Sequence, residues 1–192
     1  MSMEEEVPDF DLDFGSEEEV FDPSYNVVLV MGLDESGKSA LLSSMIYGEV
    51  IDPIATDLRE SQKYAQNGVN FEMREIGGRY RFRDDWPTQF GNAKALIWVV
   101  DSIDRGRIIE CREEFEKLME NQELASLPVV VAINKQDARI RMKDEDLMQI
   151  MKFERYEDRK LKIIKTSKKA CYELIDAMDW LIHELDLPGS AS

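Results

Sequence analysis

Two hydrophobic rhythms alternate along the chain, and the alternation predicts its elements. Short continuous apolar runs suit strands buried on both faces. They are "NVVLVMG" (Asn26–Gly32), "ALIWVVD" (Ala95–Asp101), "LPVVVAIN" (Leu127–Asn134) and "LKIIKTS" (Leu161–Ser167). "VNFEMREI" (Val69–Ile76) alternates instead, with Val69, Phe71 and Met73 on one side. The Asn67-Gly68 pair before it is a hairpin signal, so Glu60–Gln66 is expected to pair with it antiparallel. Between these runs the spacing turns helical. Leu41, Leu42, Met45 and Ile46 share a face, and Ile108–Met119, Lys143–Met151 and Ala170–Leu185 follow. In the last, Leu174, Met178, Leu181, Ile182 and Leu185 keep helical spacing. The alternation predicts an α/β fold, a doubly wound, six-stranded and mostly parallel sheet with one antiparallel edge hairpin. No internal repeat is visible.

Residues 1–24 lie outside both rhythms. The first 25 residues hold ten acids and no Lys or Arg, most of the net charge of −16. Phe10, Phe14 and Phe21 are interspersed among the acids. The segment is too poor in apolar residues to build a core and is expected to be disordered alone. Either it solvates the protein, or its phenylalanines dock in a partner's pockets. Residues 25–187 are expected to form the globular domain, with 188–192 a short tail. The acidic balance disfavours nucleic acid or anionic lipid as a partner. "MSMEEEVPDF" has neither a basic nor an apolar region of a secretory signal, Ser2 stands where myristoylation needs glycine, and "LPGSAS" has no prenylation cysteine. No apolar run is long enough to span a bilayer. Cys111 and Cys171 stand far apart in helix-like stretches, as structural thiols of a reducing compartment. The expectation is a cytoplasmic protein, monomeric or a subunit of a complex, with recruitment to any membrane or organelle left to a partner.

The chemistry concentrates in three loops. "GLDESGKS" (Gly32–Ser39) fits G-x-x-x-x-G-K-[ST], directly after a strand and opening a helix. Its glycines let backbone N–H groups curl inward on phosphate oxygens, and the helix adds its positive end. Lys38 can neutralise the β- and γ-phosphates, and Ser39 can ligate Mg²⁺. Gly32, Asp34, Glu35, Ser36, Gly37, Lys38, Ser39 and Ala40 are the candidate phosphate-binding set. "NKQD" (Asn134–Asp137) ends a buried strand, where α/β sheets bind ligands. Asp137 can accept from guanine N1–H and N2–H, a donor pair adenine lacks; Lys135 can lie along the base and Asn134 can tie the loops together. "TSKK" (Thr166–Lys169) follows the last strand, where a backbone N–H of Ser167 or Lys168 could reach guanine O6. The single histidine, His183, has no metal-ligand pattern near it, and Trp98 and Trp180 are expected in the core.

With these motifs in place the chain resembles the Arf/Arl (ADP-ribosylation-factor-like) family of Ras-superfamily small GTPases. The resemblance rests on "GLDESGKS", "GEV" after the first helix, "EIGG", "DDWPTQF" with Trp86, "WVVDSIDR", "NKQD" and "MDWL", and runs from about Tyr25 to about Leu187. It implies a P-loop NTPase fold binding GTP or GDP with Mg²⁺, and a conformational switch read by protein effectors and regulators in intracellular transport. Thr56 in "PIATD" falls on the family's switch I threonine, a second Mg²⁺ ligand and γ-phosphate contact, and the backbone N–H of Gly78 on the group that orders switch II.

The pattern breaks at "REIGGRYRF". The family carries Asp-x-Gly-Gly-Gln where this chain has Glu75, Ile76, Gly77, Gly78 and Arg79. The family aspartate holds a Mg²⁺-bound water, and Glu75 adds a methylene. The glutamine orients the attacking water. Arg79 is donor-only and cannot accept from that water; it acts as a charge clamp on γ-phosphate oxygens or as a solvated or carboxylate-paired loop residue. Both readings predict weak intrinsic hydrolysis, and a GTP-locked interaction module is the alternative. The family's exposed aromatic triad falls on Arg59, Arg74 and Gln89, so partners are expected to read these positions through arginine–acid pairs.

Overall fold

The computed structural model describes residues 22–48, 59–167 and 172–188. Thr56, Lys168, Cys171 and the acidic N-terminal segment lie outside the described residues. Six strands form one sheet: β1 (Asn26–Met31), β2 (Arg59–Gln66), β3 (Val69–Ile76), β4 (Ala93–Asp101), β5 (Val129–Asn134) and β6 (Leu161–Lys165). Their order is β2-β3-β1-β4-β5-β6. β2 and β3 pair antiparallel and every other pair is parallel, as the apolar runs and the Asn67-Gly68 turn predict. Sequence and structure place the strand ends within a few residues of each other.

Helices α1 (Lys38–Tyr47) and α4 (Tyr172–Glu184) cover one face. Helices α2 (Ile108–Glu120) and α3 (Asp144–Met151) cover the other. Alternate residues of β1 feed the two cores. Val28 and Val30 pack with Leu41, Leu42, Met45 and the α4 residues Leu174, Met178 and Leu181. Val27, Leu29 and Met31 pack with Phe115, Leu118 and Leu147 on the other side. An aromatic chain knits the second core: Trp86 meets Trp98 edge-on with centroids 6.0 Å apart, and Phe115 touches Trp98, Phe153 and Tyr156 at 5.5–5.9 Å. Each fully buried side chain of this size contributes about 1.5–3 kcal/mol by leaving water. Trp98 is in the core as expected. Trp180 is only half-buried, packed against the rim of the core with Lys162 over its ring.

Hydrophobic rhythm gives no sign of the run of 3-10 turns at Tyr80–Gln89. Only Arg83 and Trp86 of that run are buried, so it has no apolar stripe to betray it.

The β2–β3 hairpin is the outlying edge of the sheet, and polar side chains latch it to α4. Asn67 Nδ2 donates to Asp179 Oδ1 (2.7 Å), and Gln66 Nε2 donates to the same carboxylate and to Ile175 O (2.9 Å). These bonds are mostly exposed, so each contributes modestly. Asp179→Ala is expected to cost about 1 kcal/mol, measured by urea unfolding. It should also speed amide exchange in the hairpin turn while leaving β4 and β5 unchanged.

Candidate functional site

All parallel strands deliver their carboxyl ends to one edge, and the predicted loops meet there. The loop after β1 passes through Gly37 at φ 90°, a left-handed position, into α1. No side chain caps α1, and no acid sits in its first turn. Its free N–H groups are therefore left facing the loop, the arrangement that suits an anion.

Lys38 is 5% exposed, and its ammonium donates to Gly32 O (3.2 Å) and Leu33 O (3.0 Å). Burial pushes its pKa down to about 8, against the opposing fields of Glu75 and Asp34. Ser39 Oγ donates to Glu75 Oε1 at 2.6 Å. Asn134 joins the loops. Its Nδ2 donates to Ser36 O (2.9 Å), its Oδ1 accepts from Thr166 Oγ1 (3.3 Å), and its carbonyl accepts from Ser102 Oγ (2.7 Å). Lys135 takes a left-handed backbone, φ 62°, and its Nζ reaches back to Glu35 O (2.7 Å) and Asp101 Oδ2 (2.6 Å). Asp137 is exposed and, among the described residues, makes no hydrogen bond or ion pair. Its acceptor oxygens are thus available to a base. Ser167 is buried at the adjoining edge beside Thr166, whose carbonyl accepts from Gln136 N (3.1 Å). Ala40 is half-buried in the first turn of α1.

The turn after β3 rests directly on the phosphate loop. A Cβ added at Gly78 would lie 2.3 Å from Gly32 O and 2.4 Å from Asp34 N. Two side chains that the sequence motifs did not single out secure this contact. Arg83, almost wholly buried, donates from Nε to Gly78 O (2.9 Å) and pairs with Glu110 at 2.6 Å, with Glu114 at 3.6 Å and Asp34 at 3.7 Å. Arg107 binds Asp34 through Oδ1 (2.9 Å) and the backbone carbonyl (3.2 Å), braced by Asp104 at 2.6 Å. Trp86 Nε1 donates to Gly77 O (2.9 Å). The one local clue to Arg83 is its place among four arginines between residues 74 and 83, and nothing in that run separates a buried arginine from a solvated one. Asp34 is accordingly held from outside by arginines rather than turned into the loop.

Two expectations need correction or refinement. Arg74 is not an exposed cation awaiting an acidic partner. It is buried, and its Nε and Nη2 both donate to Glu72 Oε1 (3.0 and 2.8 Å), which also accepts from Ser61 Oγ (3.0 Å). The two residues stand on the same face of β3 at i and i+2, close enough to pair before any partner arrives. Arg79 is exposed at the start of the 3-10 run, and the neighbouring Tyr80 is 81% exposed. Cys111 is buried. Burial pushes its thiol up to about 12, so it is inert at neutral pH.

Among the described residues no group of three or more His, Cys, Asp or Glu is placed to hold a metal alone. A divalent ion here would depend on Ser39, Glu75 and phosphate oxygens together, the donor set magnesium takes at phosphate sites. The donors present fit a phosphate with a hard cation: a buried ammonium, free helix N–H groups and a serine hydroxyl beside a carboxylate.

A phosphate loop facing an unpaired aspartate across the carboxyl edge of such a sheet is the arrangement of a GTP-binding switch of the small GTPase class. The chain belongs to the ADP-ribosylation factor family, whose model matches residues 20–185. ADP-ribosylation factor 1 of Brassica rapa subsp. pekinensis is 32% identical over 158 residues, covering 82% of this chain and 87% of the relative. ADP-ribosylation factor-like protein 1 of Drosophila melanogaster is 33% identical over 158 residues, 82% of this chain and 88% of that protein. A solved structure of the Arl6 BBS3 small GTPase from Trypanosoma brucei, with bound nucleotide analogue GppNp, shares the fold. Its TM-score is 0.74 at 23% identity, covering 84% of this chain and 98% of that one. Members of this family bind GTP and GDP, typically with Mg²⁺, and interact with effectors and regulators.

Two outcomes test the geometry. Between pH 8 and the ordinary lysine value of 10.5, the unfolded chain holds a proton at Lys38 that the folded chain has released. The nucleotide-free protein should gain stability as pH rises through that window. Phosphate needs the charged form, so affinity for GDP should fall above about pH 8, approaching tenfold per pH unit, as read by fluorescent-nucleotide titration. Separately, Gly78→Ala places a methyl group against backbone that cannot rotate away. Amide exchange across Gly77–Arg83 should accelerate while β1, β4 and β5 keep their protection.

Proposed function

We propose that this protein is a GTP-dependent conformational switch for protein partners whose intrinsic GTP hydrolysis is slow. Arg79 carries the reading. Phosphoryl transfer needs little from the protein beyond positioning and electrostatics. An arginine after Gly77-Gly78 can supply charge but cannot accept a hydrogen bond from an attacking water.

The nucleotide would lie along the carboxyl edge. Lys38 and the N–H groups of Gly32–Ala40 would hold its phosphates, with the loop's shape kept by Gly37 against Asn134. Ser39 would hold Mg²⁺, joined by Thr56 when GTP is bound. Asp137 would select guanine, Lys135 would lie along the base, and the backbone of Ser167 and Lys168 would approach its O6. The Gly78 N–H would sense the γ-phosphate, and Arg83 would carry that displacement into α2 through Glu110 and Glu114. When bound, GTP supplies the phosphoryl group whose presence or loss distinguishes the two states. A GTP-locked interaction module is the second reading, favoured by the same Arg79 and by Glu75.

Denaturing the purified protein and identifying released nucleotide tests binding; GTP or GDP is expected, and ATP would overturn the guanine reading. Single-turnover hydrolysis then tests Arg79. Arg79→Gln should raise the rate about tenfold or more if water positioning is what is missing. A wild-type rate equal to the variant's, both fast, would refute impaired hydrolysis. Rates that stay undetectable in both proteins favour the locked module.

A further inference from the structure

Strand β3 ends in a carboxylate aimed at the phosphate-loop serine. Glu75 pairs with Val30 of β1 on one side and with Glu60 of β2 on the other. Its backbone is therefore fixed in the sheet, and the residue is 2% exposed. With the backbone held and solvent excluded, side-chain length decides where the carboxylate ends. It ends on Ser39 Oγ, 2.6 Å away.

Three physical points follow from that contact. The first is reach. An acid that acts on magnesium through a water stands roughly 2 Å farther from the ion than one that binds it. One added methylene lengthens the side chain by about 1.5 Å, most of that gap. The second is spacing. Neighbouring ligands of an octahedral magnesium, each about 2.1 Å from the ion, lie about 3 Å apart. Ser39 Oγ and Glu75 Oε1 at 2.6 Å need to spread by only a few tenths of an ångström to become such neighbours. The third is charge. Glu75 lies in the field of the buried Lys38, which a phosphate would claim. A cation bound directly by Glu75 keeps a buried carboxylate compensated where solvent cannot.

We infer that Glu75 is a direct carboxylate ligand of the magnesium ion, beside the Ser39 hydroxyl, in a position that a water fills when the strand ends in aspartate. This rests on the nucleotide-binding reading above. It adds a consequence of its own. A carboxylate on the ion lowers its net charge and its pull on phosphoryl oxygens, so Glu75 slows hydrolysis independently of Arg79. It also strengthens the protein's own hold on the metal.

The test counts waters on the metal. The full-length protein is loaded with GDP and Mn²⁺, and the Mn²⁺ electron paramagnetic resonance line is compared in ordinary and ¹⁷O-enriched water. GDP is used so that no γ-phosphate oxygen enters the count. Of about six octahedral positions, Ser39, a phosphate oxygen and Glu75 leave about three for water in the wild type. Glu75→Asp and Glu75→Ala should each gain one water, and their metal affinity, followed as Mg²⁺-dependent GDP release, should weaken at least about tenfold. A wild-type complex carrying about four waters overturns the inference while leaving nucleotide binding intact, and needs neither variant to fold. A protein that binds no GDP overturns both this inference and the reading beneath it.

Discussion

Backbone packed too closely to admit a Cβ is the constraint on which this structure depends. At Gly32 a Cβ would lie 2.4 Å from Val99 O of β4, at Gly37 2.5 Å from Asn134 Nδ2, and at Gly78 2.3 Å from Gly32 O. The ends of β1, β3, β4 and β5 thus meet through one loop that has almost no room to relax. Packed protein is poorly compressible, so a small displacement at such a joint is passed on rather than absorbed. This is how a site built from loops can change state as a unit.

Charge reinforces the joint from both sides. Arg107 grips Asp34 from the position just before α2, and Lys135 holds Glu35 O from the loop after β5. Lys38 holds Gly32 O and Leu33 O from within. The inner cation is the most desolvated of the three, and the depression of its pKa records that cost. The outer two keep the loop's shape whichever group Lys38 binds. Arg83 then ties Gly78 O to two acids of α2, in a setting dry enough that removing one partner would leave buried charge uncompensated. The phosphate loop, the turn after β3 and α2 are therefore one electrostatic unit.

The sequence discloses those parts whose physics is local. Apolar runs locate β1, β4 and β5 because strands buried on both faces carry apolar residues at nearly every position, whereas β6 is a half-buried edge strand with Lys162 and Lys165, marked only by its Ile163-Ile164 pair. Asn67-Gly68 locates the hairpin because the turn needs left-handed backbone, and Asn67 and Gly68 both adopt positive φ. The phosphate loop and "NKQD" are legible because their chemistry needs fixed residues at fixed spacing. What stays hidden is long-range. Arg83 reaches Glu110, 27 residues away, and Arg107 reaches Asp34, 73 residues away, and the run Tyr80–Gln89 has no apolar period to announce it. Arg74 misleads for a related reason. Its neighbour at i−2 neutralises it, yet composition counts both residues as exposed charge.

That pairing changes the character of the hairpin face. On the strands, Arg74 is engaged with Glu72, and Glu72 in turn with Ser61, so these three side chains already have partners. Breaking these bonds would forfeit most of what a new contact gives. Beside Gly78 the situation is different. Tyr80 projects into solvent on a segment whose base is fastened to the phosphate loop through Arg83, and Arg83 lies under its ring at 5.6 Å. An exposed aromatic on a segment mechanically tied to the phosphate loop changes position when the loop does, whereas a side chain locked within a strand pair stays put. The turn after β3 is therefore coupled to the phosphate loop through Arg83, whereas the face of the hairpin is committed to its own pairings.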